Sequence, residues 1–364
     1  MGMMKKFKAH LLMVVTQTGF SFLYFITQAA FGNGLNPFVY VTYRLLAAGL
    51  SMLPFAYFLE RKMQPKLTIL LFLEIFVLSL LGGSLTLNLY FASLQYTSPT
   101  FVASMINTIA SITFVVAVMI GMEKLNVRSK RGAAKVVGTI VSLGGALIMS
   151  MYKGPDFKRP WGALISIHGG TVHEDWVKGS ILCITSCFTW AMWYVMQAST
   201  LKRYPAQISL TTWMSFIGAA QSAIFTAFVE RKPEAWALRF DVSFWSIIYS
   251  GAIGSGMLVY TQLWCSEQKG PVFVTMFNPL CTILVALIAY AVVGQDLYVG
   301  SVLGAIVVIV GLYLVLWGKD KDQVDVKDGE FLPQFDKVFA SDMKGQTKTQ
   351  QLEQEKNSKE WAEI

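Results

Sequence analysis

The sequence predicts an all-helical (all-α) membrane protein with ten transmembrane helices, arranged as two inverted five-helix repeats. Apolar residues make up 54% of the chain and charged residues only 14%, whereas a soluble protein carries about 25% charged residues. The mean hydropathy is +0.50. Ten apolar segments are long enough to cross a bilayer, and a set of sequence landmarks occurs twice. A soluble protein is therefore excluded.

The landmarks define two copies of one pattern. Their spacings are nearly the same in both copies: Gln28-Ala29, Pro37 and Glu60-Arg61-Lys62 return as Gln197-Ala198, Pro205 and Glu230-Arg231-Lys232. Further along, Gly82, Pro99 and Asn107 return as Gly254, Pro271 and Asn278. An odd number of spans in each copy makes the second copy enter the membrane from the opposite side. Such inverted repeats are typical of secondary transporters.

Each predicted span is a helix, because a backbone exposed to lipid must satisfy its own N–H and C=O groups. The hydrocarbon core, about 30 Å thick, needs about 20 helical residues. In the first repeat the spans are expected at residues 10–31, 37–59, 68–91, 100–120 and 133–152. In the second repeat they are expected at residues 178–201, 207–229, 243–265, 271–293 and 298–318.

These spans divide the chain into five parts. We expect an N-terminal segment at 1–8, a first repeat at 9–153, an outer loop at 154–176, a second repeat at 177–319 and a tail at 320–364. The tail is polar and acidic, a composition typical of disorder. Lysines at the N-terminus and in the loop after the fourth span predict that both termini are cytosolic. The basic loops suit anionic lipid, so we do not expect a nucleic-acid partner.

No catalytic motif and no nucleotide-binding segment is present, so we predict neither an enzyme nor an ATP-driven pump. We expect no cofactor and no metal. Cys183 and Cys187 share a helix face, but small apolar packing explains them better than a metal or redox site. His168, His173 and Glu174 in the outer loop match no standard zinc spacing, which favours a solvated loop.

Polar residues inside spans are costly in lipid and therefore indicate function. Arg44 lies about two helical turns into the second span, where its guanidinium either binds a carboxylate or extends to the outer headgroups. Gln28 and Gln197 are repeat counterparts, and Tyr24 and Tyr194 precede them at helical spacing. An amide pair across a cavity could bind a zwitterion, and the alternative is hydrogen bonding between helices. Glu74 is expected to reach the membrane interface or Lys66.

The remaining candidates come from the third, fourth, sixth, eighth and ninth spans. Asn107 and Asn278 are repeat counterparts, and Asn278 precedes Pro279. Proline lacks an N–H and frees the carbonyl four residues earlier, so a broken helix is expected there. Trp190 could form an aromatic wall, although interface packing explains such residues equally well. The full set of candidate substrate-binding residues is Gln28, Arg44, Asn88, Asn107, Gln197, Gln262, Asn278, Tyr24, Tyr194 and Trp190.

These landmarks resemble those of a known family. The residues that carry this resemblance are the Glu60-Arg61-Lys62 end of the second span, Tyr96-Thr97-Ser98, Asn107 with Thr113-Phe114, Glu123-Lys124 and the closing Gly311-Leu312-Tyr313 to Trp317-Gly318-Lys319. In them the sequence resembles the plant nodulin-21-like, walls-are-thin-related branch (UMAMIT type) of the EamA drug/metabolite transporter superfamily. Ala110 stands where that family usually has a proline after the fourth-span asparagine. This departure argues against a symmetric pair of broken helices.

The resemblance implies alternating-access transport of a small molecule. Family members resemble bidirectional facilitators or exporters of amino acids, and some move auxin across the plasma or vacuolar membrane. We therefore expect an amino acid substrate, with indole-3-acetate as the alternative, and the plasma membrane, with the vacuolar membrane as the alternative. A non-transporting scaffold or receptor is the alternative of another class. Oligomeric state and ion coupling do not follow from the sequence.

Overall fold

A computed structural model describes residues 2–61, 64–65, 67–97, 99–123, 125, 128–152, 154–157, 175–238, 240–293 and 297–319. Helices occupy all ten predicted positions within these ranges. The outer-loop residues His168, His173 and Glu174, together with the tail from Asp320, lie outside the described residues, as does Lys66.

The first half contains six α-helices. They are α1 (Gly2–Gly32), α2 (Pro37–Glu60), α3 (Ile69–Ser79), α4 (Thr86–Tyr96), α5 (Pro99–Met119) and α6 (Lys130–Met151). A π-helical segment, Leu80–Leu85, joins α3 to α4, so the two form one continuous helical stretch. The sequence predicted the position of this stretch but not its widened turns.

The second half repeats this plan with more interruptions. Its helices are α7 (Trp176–Arg203), α8 (Gln207–Val229), α9 (Val242–Tyr249), α10 (Val259–Lys269), α11 (Pro271–Thr275), α12 (Asn278–Ile288) and α13 (Val299–Lys319). A 3-10 turn spans Pro233–Trp236, and π-helical segments span Ser250–Leu258 and Ala289–Val293. Two short strands, β1 (Asp156–Phe157) and β2 (Leu297–Tyr298), pair antiparallel. This pairing was not predicted.

Eight helical stretches in the described residues are long and apolar enough to cross a membrane. Within α5 the apolar part, Met105–Met119, is shorter. The first turns of α6 carry Lys130, Arg131 and Lys135, which lower its hydropathy. The protein is thus an all-helical membrane protein, and membrane crossing by all ten predicted helices stays a prediction.

Contacts between helix ends define two ends of the bundle. At the Glu60 end, where α2 finishes and α8 begins, the Glu60 carboxylate accepts hydrogen bonds from the backbone N–H groups of Ile208 at 3.0 Å and Ser209 at 2.7 Å. At the Asn36 end, where α2 begins and α8 finishes, the Asn36 amide donates to Glu230 at 2.9 Å. Because the start of each helix meets the end of the other, α2 and α8 run antiparallel.

Glu74 belongs to the Glu60 end. Its carboxylate lies 2.9 Å from Nη1 of Arg203 and accepts a hydrogen bond from the Thr200 hydroxyl at 2.8 Å. The expectation that Glu74 reaches the interface or Lys66 missed this partner, because Arg203 is 129 positions away in sequence. The pair ties the end of α7 to α3.

Close backbone contact joins the last helix of each half. A Cβ at Gly138 of α6 would lie 2.8 Å from the carbonyl oxygen of Gly311 in α13. Real Cβ atoms do not approach so closely, so only glycine permits this spacing. Small residues commonly have this role in membrane helix packing.

Candidate functional site

A group of polar side chains meets near the middle of the bundle, and we call Trp190, Tyr194, Gln262, Asn278 and Gln17 the central polar cluster. Its centre is the Tyr194 hydroxyl, which accepts a hydrogen bond from the Gln262 amide at 3.3 Å. The side chains of Asn278 and Trp190 also lie close to this hydroxyl. Tyr194 and Gln262 are almost completely buried.

Helix geometry explains how these residues meet. Trp190 and Tyr194 are four residues apart in α7 and so share one face of that helix. Gln262 faces them from α10. Asn278 is the first residue of α12, just beyond the break at Met276 and Phe277. The predicted break is confirmed, and it places a polar side chain and irregular backbone at one point.

Gln17 was missed by the sequence analysis. It lies in α1, is only 2% exposed, and its Nε2 donates to Oδ1 of Asn278 at 3.3 Å. The run Thr16-Gln17-Thr18 in the middle of an apolar span was the available signal. Gln17 brings a third element, α1, to the central polar cluster.

Tyr24 extends the polar face of α1 beyond Gln17, towards a second tyrosine in α4. Tyr24 lies seven residues after Gln17, on the same face of that helix. It lies near Cys281 in α12 and Tyr90 in α4. Tyr24 is 36% exposed and is therefore less enclosed than Tyr194.

The predicted repeat pair of asparagines meets at α12. Asn278 belongs to this helix, and Asn107 contacts it. Oδ1 of Asn107 accepts a hydrogen bond from the Thr282 hydroxyl at 3.2 Å, one turn beyond Asn278. This contact connects α5 to α12. The helix α5 itself is continuous through Ala110, so of these two repeat-related spans the ninth is broken and the fourth is not.

The predicted amide pair is not brought together by any hydrogen bond in the described part of the chain. Gln28 is half-buried, four residues before the end of α1. Gln197 is 0% exposed, and neither its amide nitrogen nor its amide oxygen has a hydrogen-bond partner among the described residues. Gln197 is therefore a buried polar group whose hydrogen bonds are unmade in this conformation.

Arg44 lies in α2 beside the π-helical segment before α10. Its Nε donates to the Ser255 hydroxyl at 2.7 Å, and the residue is 9% exposed. The guanidinium is thus directed into the protein and not to the headgroups. It has no carboxylate partner among the described residues.

Asn88 connects helices of the two halves. Its amide nitrogen donates to the Ser84 carbonyl at 2.8 Å and to the Ser222 hydroxyl at 3.0 Å. The Thr42 hydroxyl also donates to Ser222, at 3.3 Å. Asn88 therefore lies in a separate contact between α4, α2 and α8.

We find no group of three or more His, Cys, Asp or Glu residues that could hold a metal within the described ranges.

Comparison with known proteins identifies the family. The model of the EamA-like transporter family matches residues 7–151 and 177–317. A WAT1-related protein of Arabidopsis thaliana is 40% identical over 325 residues, covering 88% of this chain and 87% of its own. The Arabidopsis protein WALLS ARE THIN 1 is 35% identical over 333 residues, covering 88% of this chain and 86% of its own.

A solved crystal structure shares the fold, with a TM-score of 0.64 at 15% identity. The match covers 85% of this chain and 98% of the other. The polar cluster in the membrane region, the doubled family match and the relatives agree with the resemblance found in the sequence. The chain belongs to the EamA-like transporter family, in its plant WAT1-related branch, and is a multi-pass membrane transporter and not an enzyme.

Proposed function

We propose that this transporter moves small organic solutes by alternating access and that it is a bidirectional amino acid facilitator or exporter. The observation that carries the proposal is the central polar cluster, to which α1 of the first half and α7, α10 and α12 of the second half contribute. A site between two repeats can open to either side when the repeats move against each other.

The chemistry of the cluster suits a zwitterion. The amides of Gln17, Gln262 and Asn278 each offer donors and an acceptor, and the Tyr194 hydroxyl offers both. Their oxygens can accept from an ammonium group, and the half-buried indole of Trp190 can attract the same cation with its ring face. An indole-type auxin is the alternative substrate, because Tyr24, Tyr90 and Trp190 provide aromatic surface.

The proposed topology has ten membrane crossings in two inverted repeats, residues 9–153 and 177–319. An N-terminal segment at 1–8 and a tail at 320–364 face the cytosol, and a loop at 154–176 faces outward. The antiparallel contact of α2 with α8 supports this arrangement, because these helices are repeat counterparts. We propose the plasma membrane as the site of residence, with the vacuolar membrane as the alternative.

Counterflow in proteoliposomes tests this function. Purified full-length protein is reconstituted in vesicles loaded with one unlabelled amino acid, and uptake of the labelled form is followed against protein-free vesicles. Parallel vesicles use indole-3-acetate. We expect transient accumulation of at least one amino acid. Accumulation of indole-3-acetate alone would favour the auxin alternative, and the absence of flux for every solute would favour a scaffold or receptor.

A further inference from the structure

Among the residues that the structure describes, Arg44 is a buried cation without a counter-ion. It is 9% exposed, and its one hydrogen bond to another described residue runs from Nε to Ser255 at 2.7 Å. Burying an unpaired charge is costly, and the cost is greater inside a membrane. Retention of such a charge therefore indicates that the guanidinium has a partner in another state of the protein, such as the state with solute bound.

Two other cations of low exposure lie beside acids. Lys135, which is 2% exposed, lies 3.2 Å from the Glu123 carboxylate. Arg203 lies 2.9 Å from Glu74. An acid thus accompanies each of these two cations, whereas none lies beside the Arg44 guanidinium among the described residues.

The surroundings of Arg44 hold its guanidinium in a defined place. A Cβ at Gly251 would lie 2.7 Å from the Arg44 carbonyl oxygen, so this glycine lets the backbones of α2 and the π-helical segment Ser250–Leu258 touch. A Cβ at Gly254 would lie 3.5 Å from Nη2 of Arg44. Such widened turns are frequent at functional sites.

The bond to Ser255 uses Nε and leaves the two terminal nitrogens of the guanidinium for another partner. These two nitrogens form a planar fork that matches the two oxygens of a carboxylate. The acids at the bundle ends have other partners: Glu60 the start of α8, Glu74 Arg203, Glu230 Asn36 and Glu267 Gln207.

We propose that Arg44, oriented by Ser255, binds the carboxylate of the transported solute, so that the substrates of this protein are small organic carboxylates. The proposal rests on the transport function above and adds the residue that recognises the carboxylate, a group that an uncharged ester or amide of the same solute lacks. Pro37 and Pro205 are 168 positions apart, and the same offset takes Arg44 to Thr212. The second repeat has no matching cation there, so the proposed carboxylate site has no repeat counterpart.

The test compares Arg44→Gln, Arg44→Lys and wild type as full-length proteins. Arg61→Gln is the matched control, since Arg61 is exposed and contacts only Tyr57 among the described side chains. Counterflow is measured with the amino acid found above and with indole-3-acetate, in competition with their methyl esters and amides. Binding of the same compounds is measured separately, as the shift in melting temperature of purified protein in detergent.

We expect the free carboxylates to compete and shift melting in wild type, while the esters and amides do neither. Loss of charge-assisted hydrogen bonds in Arg44→Gln should weaken carboxylate binding about 10- to 100-fold. Arg44→Lys should recover part of this loss, and Arg61→Gln should behave as wild type. Because Arg44→Gln removes an unpaired buried charge, we expect it to fold.

Two results would overturn the inference. Unchanged carboxylate affinity in a folded Arg44→Gln protein would show that the guanidinium does not bind substrate. Equal competition by ester and acid in wild type would show that charge is not recognised, while leaving the transport function intact. If vesicles carry no solute at all, the transport function fails, and the melting shifts with carboxylates still decide whether Arg44 is an anion site.

Discussion

Tyr194 is the residue on which the central polar cluster depends. Its hydroxyl accepts a hydrogen bond from Gln262 of α10 and lies close to Asn278 of α12 and to Trp190 of its own helix, α7. The ring is almost fully buried, so it cannot exchange these partners for bulk water. The position is thus suited to hold polar side chains of three helices in register.

Tyr194→Phe keeps the ring and removes the hydroxyl. Leaving buried amides unpaired costs about 1 to 3 kcal/mol. We therefore expect the substrate concentration at half-maximal transport to rise about 5- to 150-fold. Counterflow at a series of substrate concentrations measures this. Tyr57→Phe is the control, because Tyr57 is 53% exposed. An unchanged concentration dependence in Tyr194→Phe would remove the hydroxyl from the proposed site.

Gln197→Leu tests the buried amide whose two polar atoms have no partner among the described residues. Leucine gives up no hydrogen bond in this conformation, so the free energy of unfolding should increase by about 1 to 3 kcal/mol. We expect a higher melting temperature together with slower counterflow, because the amide serves a conformation in which substrate or water reaches it. Gln28→Leu is the comparison, and its stability should change little, since Gln28 is half-buried. A lower melting temperature for Gln197→Leu would contradict the conclusion that the Gln197 amide lacks hydrogen bonds in the described conformation.

Hydrogen bonds stabilise the contact between α2 and α8 at both ends. The two glutamates that accept them, Glu60 and Glu230, are repeat counterparts. Glu60 accepts from the first N–H groups of α8, which has no capping side chain of its own. Asn36 caps α2, accepting from Phe38 N at 2.9 Å, while its amide nitrogen donates to Glu230. Each helix start is therefore satisfied with help from the end of the other helix.

Glu60→Ala should destabilise the start of α8. Loss of a helix cap costs about 0.5 to 2 kcal/mol, and here a charged acceptor is lost from two buried N–H groups. We expect a lower melting temperature and faster backbone hydrogen exchange at Ile208 and Ser209. Glu234→Ala is the control, since Glu234 is exposed. Unaltered exchange at these two amides would mean that the carboxylate does not cap the helix in solution.

The helices also differ in how well the sequence predicted their interior. The break before Asn278 followed from Pro279, and the continuous course of α5 agrees with Ala110 replacing a proline. The π-helical segments Leu80–Leu85 and Ser250–Leu258 were not predicted, although both contain paired or near-paired glycines. Glycine permits a widened turn without requiring it, so the neighbouring helices decide.

The arrangement of the whole chain predicts that both termini face the cytosol. Basic residues crowd the N-terminus and the loop before α6, and ten crossings return the chain to its starting side. Tags at the N-terminus and in the tail should be digested in cells opened to the cytosol only, while a tag near His168 should be protected. Protease access to the two termini from opposite sides would contradict the inverted repeat.

The sequence by itself determined the membrane class, the positions of the helices, the duplication and the family. Apolar length and the need to satisfy backbone hydrogen bonds in lipid act locally, so they can be read along the chain. Several site candidates could also be found this way, because a polar residue inside an apolar span is conspicuous wherever it lies.

Only the tertiary structure decided which of these side chains meet. It joined Asn278 to Gln17 and not to Gln28, gave Glu74 the partner Arg203, and set Arg44 against Ser255. These pairings depend on the rotation of each helix about its axis and on its depth beside its neighbours. Close contacts such as Gly251 against α2 determine that rotation and depth, and they join residues that are far apart in sequence.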